Sequence, residues 1–238
     1  MQNRRIAFQF YFSCLLFIGS SSVFAQSDTI PSLSISANVD LMSQYIWRGQ
    51  DYGHTPSIQP GLSATWKNFT LGFWGAGRIA GSGENEVDFY LEKTVGIATF
   101  SVWDYWNISD ESPNNYFDYS EQTTAHLLEA QVLLSGGEKL PFNFLGSYFF
   151  YGADPTKSLY FELQYFRSFG SFDTQVFAGV QAKGEYYAPN AGLVNVGVLV
   201  EKSFKITKNG VLPVTLSLIF NPNDDQVYLV AGITLLTL

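Results

Sequence analysis

A period-two alternation of apolar and polar residues returns about twelve times along this chain and runs to its last residue. Behind the first 25 residues, no apolar stretch is long enough to cross a bilayer as a helix. Hydrocarbon admits only helices and closed barrels, because an open sheet edge leaves backbone donors and acceptors unpaired. The pattern therefore predicts an all-β chain: a transmembrane antiparallel up-and-down β-barrel of about 12 strands.

The first 25 residues read as a signal peptide. Arg4 and Arg5 form the charged start, Ile6 to Gly19 an apolar core too short to span, and Val23-Phe24-Ala25 a small-residue cleavage signal. Cleavage near Ala25 leaves one β-barrel domain over 26–238 and sends it to the outer membrane of a Gram-negative bacterium. The sole cysteine, Cys14, lies in the removed core, and Tyr11-Phe12-Ser13 before it does not fit a lipoprotein signal. The mature chain is thus expected to hold no disulfide and no cysteine metal site.

Loss of the two signal arginines takes the formal charge from −8 to −10. That acidity excludes nucleic acid as a partner, since phosphate neutralisation needs a basic face. Charged residues make up 14%, against about a quarter in soluble chains. Aromatics at 17% suit interfacial girdles.

The first strand is expected from Leu33 through Trp47, with Leu33, Ile35, Ala37, Val39, Leu41, Ser43, Tyr45 and Trp47 on one face. The clearest alternation is Val87, Phe89 and Leu91 against Glu86, Asp88, Tyr90 and Glu92. Gly96 to Trp106 is so apolar that its faces stay unassigned. Short turns are expected near Lys67-Asn68, Thr94-Gly96, Gly136-Pro141, Gly170-Ser171 and Thr207-Gly210. Longer, outward-facing loops alternate with them, at Arg48-Pro56, Ala80-Asn85, Asn107-Gln122, Gly152-Thr156, Gly184-Asn190 and Asn221-Asp225.

A secreted β-sandwich alternates in the same way. Against it stand strands of about 10 residues, the length of a tilted bilayer crossing, where soluble strands run to about 5–6. Trp47, Trp66, Trp103, Trp106, Tyr45, Tyr148 and Tyr165 gather near expected strand ends, as interfacial belts do. Pro60 and Pro213 each remove a ladder donor and count slightly the other way.

The run SANVDLMSQYIWRGQDYGHTPSIQPGLSATW resembles the opening of the Gcw_chp family, bacterial proteins of unknown function expected in the outer membrane. That family opens on an alternating strand ending Tyr-x-x-Arg-Gly, followed by Pro-x-x-Gln-x-Gly. Here those positions are Tyr45, Arg48 and Gly49, then Pro56, Gln59 and Gly61. The resemblance implies a location and a fold, and no activity.

Function must then be read from the lumen. Twelve strands lie between barrels filled by their own side chains and water-filled porins. Expected lumen-lining residues are Asp40, Arg48, Arg78, Glu86, Asp88, Glu92, Glu129, Glu162, Asp173, Lys183 and Glu201, interleaved with small residues such as Ser34, Ser63 and Gly72. Charge inside a spanning element needs water or a partner. Two readings stay open. A wet interior makes a narrow pore for small solutes, with cation preference from the carboxylate surplus. Alternatively, Arg48 and Arg78 each bridge carboxylates, giving a non-conducting structural or surface-interaction barrel.

A third reading, an outer-membrane lipid hydrolase, would use His126 at the outer rim. No Gly-x-Ser-x-Gly elbow and no serine at a matching spacing accompany it, so no catalytic residue is assigned and no enzyme is expected. The acidic third loop (Asp110, Glu111, Asp118, Glu121) lacks calcium-loop spacing and reads as solvated. No metal or cofactor is expected. Expected partners are outer-membrane lipid and lipopolysaccharide, the barrel-assembly machinery, and small solutes.

Overall fold

The computed structural model describes residues 32–81, 83–109, 115–137, 140–208 and 210–238. The expected signal peptide with Cys14 and the cleavage point, and the loop acids Asp110 and Glu111, lie outside the described residues. The chain runs β1 (Leu33–Met42), β2 (Ile46–Trp47), β3 (Gln50–Asp51), β4 (Ser57–Trp66), β5 (Phe69–Arg78), β6 (Asn85–Val95) and β7 (Ala98–Ile108). It continues with β8 (His126–Ser135), β9 (Phe142–Gly152), β10 (Leu159–Phe169), β11 (Phe172–Lys183), β12 (Gly192–Lys205), β13 (Val211–Asn221) and β14 (Gln226–Thr237). Twelve of these strands close into an antiparallel barrel in sequence order; β2 and β3 form a separate hairpin.

Alternation builds the wall. In β6, Glu86, Asp88, Tyr90 and Glu92 are buried inside, while Phe89 and Leu91 remain 43% and 53% exposed outside. The unassigned segment resolves the same way in β7: Ser101, Trp103 and Tyr105 face in, Phe100 and Val102 out. One end of the barrel carries the tight turns and the other the long loops, with the expected alternation. The terminal strands meet, and Ala37 and Leu238 exchange both backbone hydrogen bonds, at 3.2 and 2.9 Å. Backbone groups that would form edges are thereby paired.

Both prolines sit where the ladder tolerates them. Pro60 pairs with Val39 of β1, and the β4–β5 ladder is interrupted at Gln59 and Pro60. Pro213 pairs with Ser203 of β12, and the ladder to β14 begins one residue later, at Val214.

The first strand departs from expectation. It ends at Met42, five residues short of Trp47, and the chain then turns into the barrel. Tyr45 and Trp47, expected in an interfacial belt, are buried inside, as is Trp103. Period-two spacing does not distinguish a strand that continues up the wall from one that folds inward, because large aromatics serve as well in a lumen as in a girdle. Trp66 keeps its expected exposed position at the turn end.

Candidate functional site

The first loop plugs the loop end of the lumen. Arg48 and Gly49 form the two-residue turn between β2 and β3, with φ of 48° and 81°. Two positive φ values in succession are the signature of a type I′ turn, whose twist matches its flanking strands. Gly49 is dictated twice over, because a Cβ there would also run into the carbonyl oxygen of Val194. The Gly49 carbonyl accepts from Asn221 Nδ2 at 3.1 Å, and Gln50 Nε2 donates to the carbonyls of Tyr186 and Tyr187 at 3.3 Å each. These bonds seat the hairpin against β13 and against the connection between β11 and β12.

At its centre is Arg48. Its guanidinium makes a two-pronged pair with Glu129 of β8, Nη1 to Oε1 at 2.6 Å and Nη2 to Oε2 at 3.0 Å. Nη1 also donates to the Tyr187 hydroxyl. Rings cover the cation: its central carbon stands 4.6 Å from the centroid of Trp47 and 4.5 Å from that of Tyr160. Glu129 is held from its other side by the Tyr105 hydroxyl at 2.8 Å and by Gln131 Nε2. A buried ion pair offsets its desolvation only when further donors and acceptors are engaged; here Glu129 also accepts from Tyr105 and Gln131, and Arg48 also donates to Tyr187. Trp47 packs on Tyr52, Tyr105, Phe149, Tyr186 and Tyr187, at centroid distances of 5.3–6.2 Å.

The wall is bent to receive this plug. Register slips by one residue between Leu128 and Glu129, between Leu159 and Tyr160, and between Gly179 and Val180. The first two fall at Glu129 and Tyr160, and the third places Val194, opposite Gly49, in the bulge. The inserted residues are Phe150 of β9, Ala182 of β11 and Val194 of β12, and Glu129 and Tyr160 keep the inward parity of their own strands.

The remaining expected lumen residues divide. Asp40 is buried and accepts from Thr234 Oγ1 at 2.6 Å and Asn38 Nδ2 at 2.7 Å. Glu86 accepts from the Tyr45 hydroxyl at 2.8 Å, with Asp88 buried one inward position further along the strand. Glu162 accepts from Gln164 and Asn195 at 2.7 and 2.8 Å and from the Tyr160 hydroxyl. Glu92 and Glu201 are buried, and Asp173, half-buried, is the cross-strand neighbour of Glu201. The two other expected cations lie nearer the loop end. Arg78 turns its guanidinium to the Gly83 carbonyl at the loop end, and Lys183 is exposed where β11 ends. Seven strand carboxylates are buried, whereas Arg48 is the one buried Lys or Arg among the described residues.

His126 lies on the outward side of β8, beneath the third loop. Nδ1 faces Asp104 Oδ1 at 2.7 Å and Nε2 faces the Tyr116 carbonyl at 2.6 Å; the Tyr119 ring stacks on the imidazole at 4.0 Å. The Tyr119 hydroxyl donates to Asp104 Oδ2 at 2.7 Å. With both ring nitrogens engaged, His126 acts as a clasp for the loop. Asp118 folds the loop on itself, accepting from Thr123 Oγ1 at 2.6 Å and the Ser120 N–H at 2.9 Å, which hold its carboxyl below the usual range. His54 is exposed beside Asp51.

Sequence reasoning identified Arg48 and Glu129 separately and missed Tyr105, Tyr160 and Tyr187, the side chains that complete their setting. The Tyr186-Tyr187 pair in a loop expected to face outward was the available signal.

No curated protein matches the chain. Residues 26–192 match the family model for bacterial proteins of unknown function, Gcw_chp. The Tyr-x-x-Arg-Gly positions are those that seat the plug: Tyr45 on Glu86, Arg48 on Glu129, Gly49 under Val194. On this match, extending over most of its length, the chain belongs to the Gcw_chp family.

Proposed function

We propose that this barrel, exported by way of its first 25 residues, spans the outer membrane and passes small solutes, cations preferentially, through a lumen that the first loop closes at rest. The observation that carries this reading is the charge imbalance inside the wall, seven buried strand carboxylates against one buried arginine. Carboxylates left without cationic partners are costly away from water, so this lumen calls for water and mobile cations. Buried oxygens of Asn38, Ser147 and Glu201 without hydrogen-bond partners add to that demand. The outward side supports the location: Leu62, Leu71, Leu91, Val102, Leu163 and Leu216 are about half exposed or more, a surface suited to lipid tails.

The closure rests on a hairpin that can move as a unit, since β2 and β3 pair only with each other. A second reading, a permanently closed structural barrel, draws on the same Arg48–Glu129 pair. Reversal potentials in planar bilayers under a potassium chloride gradient separate the two. The pore reading expects cation-selective openings that become frequent in Arg48→Ala; a silent Arg48→Ala barrel that remains folded contradicts it.

A further inference from the structure

The setting around Arg48 is a more complete cation receptor than a latch requires. Of the groups that hold the guanidinium, only Trp47 belongs to the same loop. Glu129 comes from β8, Tyr160 from β10 and Tyr187 from the 184–191 connection. Glu129 is oriented independently of Arg48, because the Tyr105 hydroxyl at 2.8 Å and Gln131 already fix one of its oxygens. Glu129 and Tyr160 share the inward parity of Gln131 and of Glu162 on their own strands, so the wall presents them inward whether or not an arginine lies between them.

We infer that this wall site is a receptor for small guanidinium compounds, and that Arg48 is its built-in occupant. The carboxylate presents two oxygens side by side, which matches the planar fork of a guanidinium and not the point charge of an ammonium. The Tyr160 ring, 4.5 Å from the guanidinium carbon, supplies a flat face for a delocalised cation. Anions are refused by Glu129 and by nearby Glu162, to which the Tyr160 hydroxyl donates. The site lies inside the lumen, on the route of any solute. It names the substrate class for the pore proposed above and rests on that reading only for its role in transport.

Tethering makes Arg48 a strong competitor, because a short loop holds it at an effective concentration of about millimolar or more. Free ligand therefore gains entry when Arg48 is removed. The test is equilibrium titration of methylguanidinium chloride into refolded Arg48→Ala barrel, followed by calorimetry and tryptophan fluorescence, with sodium chloride and tetramethylammonium chloride as comparisons. Saturable binding of methylguanidinium is expected, weaker by at least about tenfold for tetramethylammonium and in Arg48→Ala/Glu129→Gln. Absence of saturable binding to folded Arg48→Ala, or binding indifferent to Glu129→Gln, overturns the assignment. Should Arg48→Ala fail to fold in buffer, refolding in methylguanidinium chloride replaces the titration: rescue by it and not by sodium chloride is expected, and rescue by neither overturns. Binding without current would retire the pore and keep the receptor; current without binding would do the reverse.

Discussion

Arg48 and Glu129 stand 81 residues apart in the chain and meet through two hydrogen bonds of 2.6 and 3.0 Å, with side chains only 4% and 1% exposed. One comes from an inward-folded loop and the other from the barrel wall, so their contact couples the closure of the lumen to the stability of the fold.

Removing one partner strands the other. Glu129→Gln leaves a buried guanidinium facing a neutral amide, and Arg48→Ala leaves a buried carboxylate. Each is expected to lower stability by about 3–5 kcal/mol. Arg48→Met/Glu129→Leu, which removes both charges, should cost less than either single change. Denaturant unfolding in detergent, followed by heat-modifiable gel mobility, reads these differences.

Gly49→Ala attacks the hairpin without touching a charge. The new methyl meets the Val194 carbonyl, and φ of 81° is unfavourable for any residue with a Cβ. The hairpin should lift while the twelve-stranded wall persists. Quenching of tryptophan fluorescence by acrylamide should rise as Trp47 becomes accessible, with unchanged far-ultraviolet circular dichroism.

His126→Ala removes the clasp of the third loop: the bonds to Asp104 and Tyr116 and the stack on Tyr119. The local cost should be about 1–3 kcal/mol, taken from the loop and not from the barrel. Limited proteolysis should then cut within residues 109–125 well before any strand is lost.

The same loop should loosen in acid. Asp118 is held below the usual carboxylate range chiefly by Thr123, then by Ser120. A depressed folded value stabilises above the unfolded value, about 3.9, and that contribution disappears as pH falls through the folded one. Pepsin cleavage of the loop should accelerate as pH drops below about 4, and Asp118→Asn should abolish the acceleration.

The wall was legible because period two is enforced twice, by an apolar outside and a polar inside, and because each turn announces itself in residues such as Gly170-Ser171. The plug was not. Ser43, Tyr45 and Trp47 extend the pattern of β1 without a break, and only the pair of left-handed residues, Arg48 and Gly49, marks the reversal. The Arg-Gly dipeptide reads as the end of a strand when it is the tip of a hairpin. Lumen charges were legible as a set through parity, as with Glu86, Asp88 and Glu92. Their pairing was not, because Arg48 reaches Glu129 from a loop that folds inward, a placement that periodicity does not encode. Lys183 follows the inward parity of its strand, yet one inserted residue, Ala182, separates it from the pairing of Gln181 and leaves it exposed at the rim.

Single-channel recording on the wild-type barrel and on Arg48→Ala, in the same planar bilayer and the same salt, tests the first-loop closure most directly. Rare, brief cation-selective openings in the wild type and long-lived ones in the variant are the predicted result. Equal currents through both barrels, or none through a folded Arg48→Ala, would contradict it.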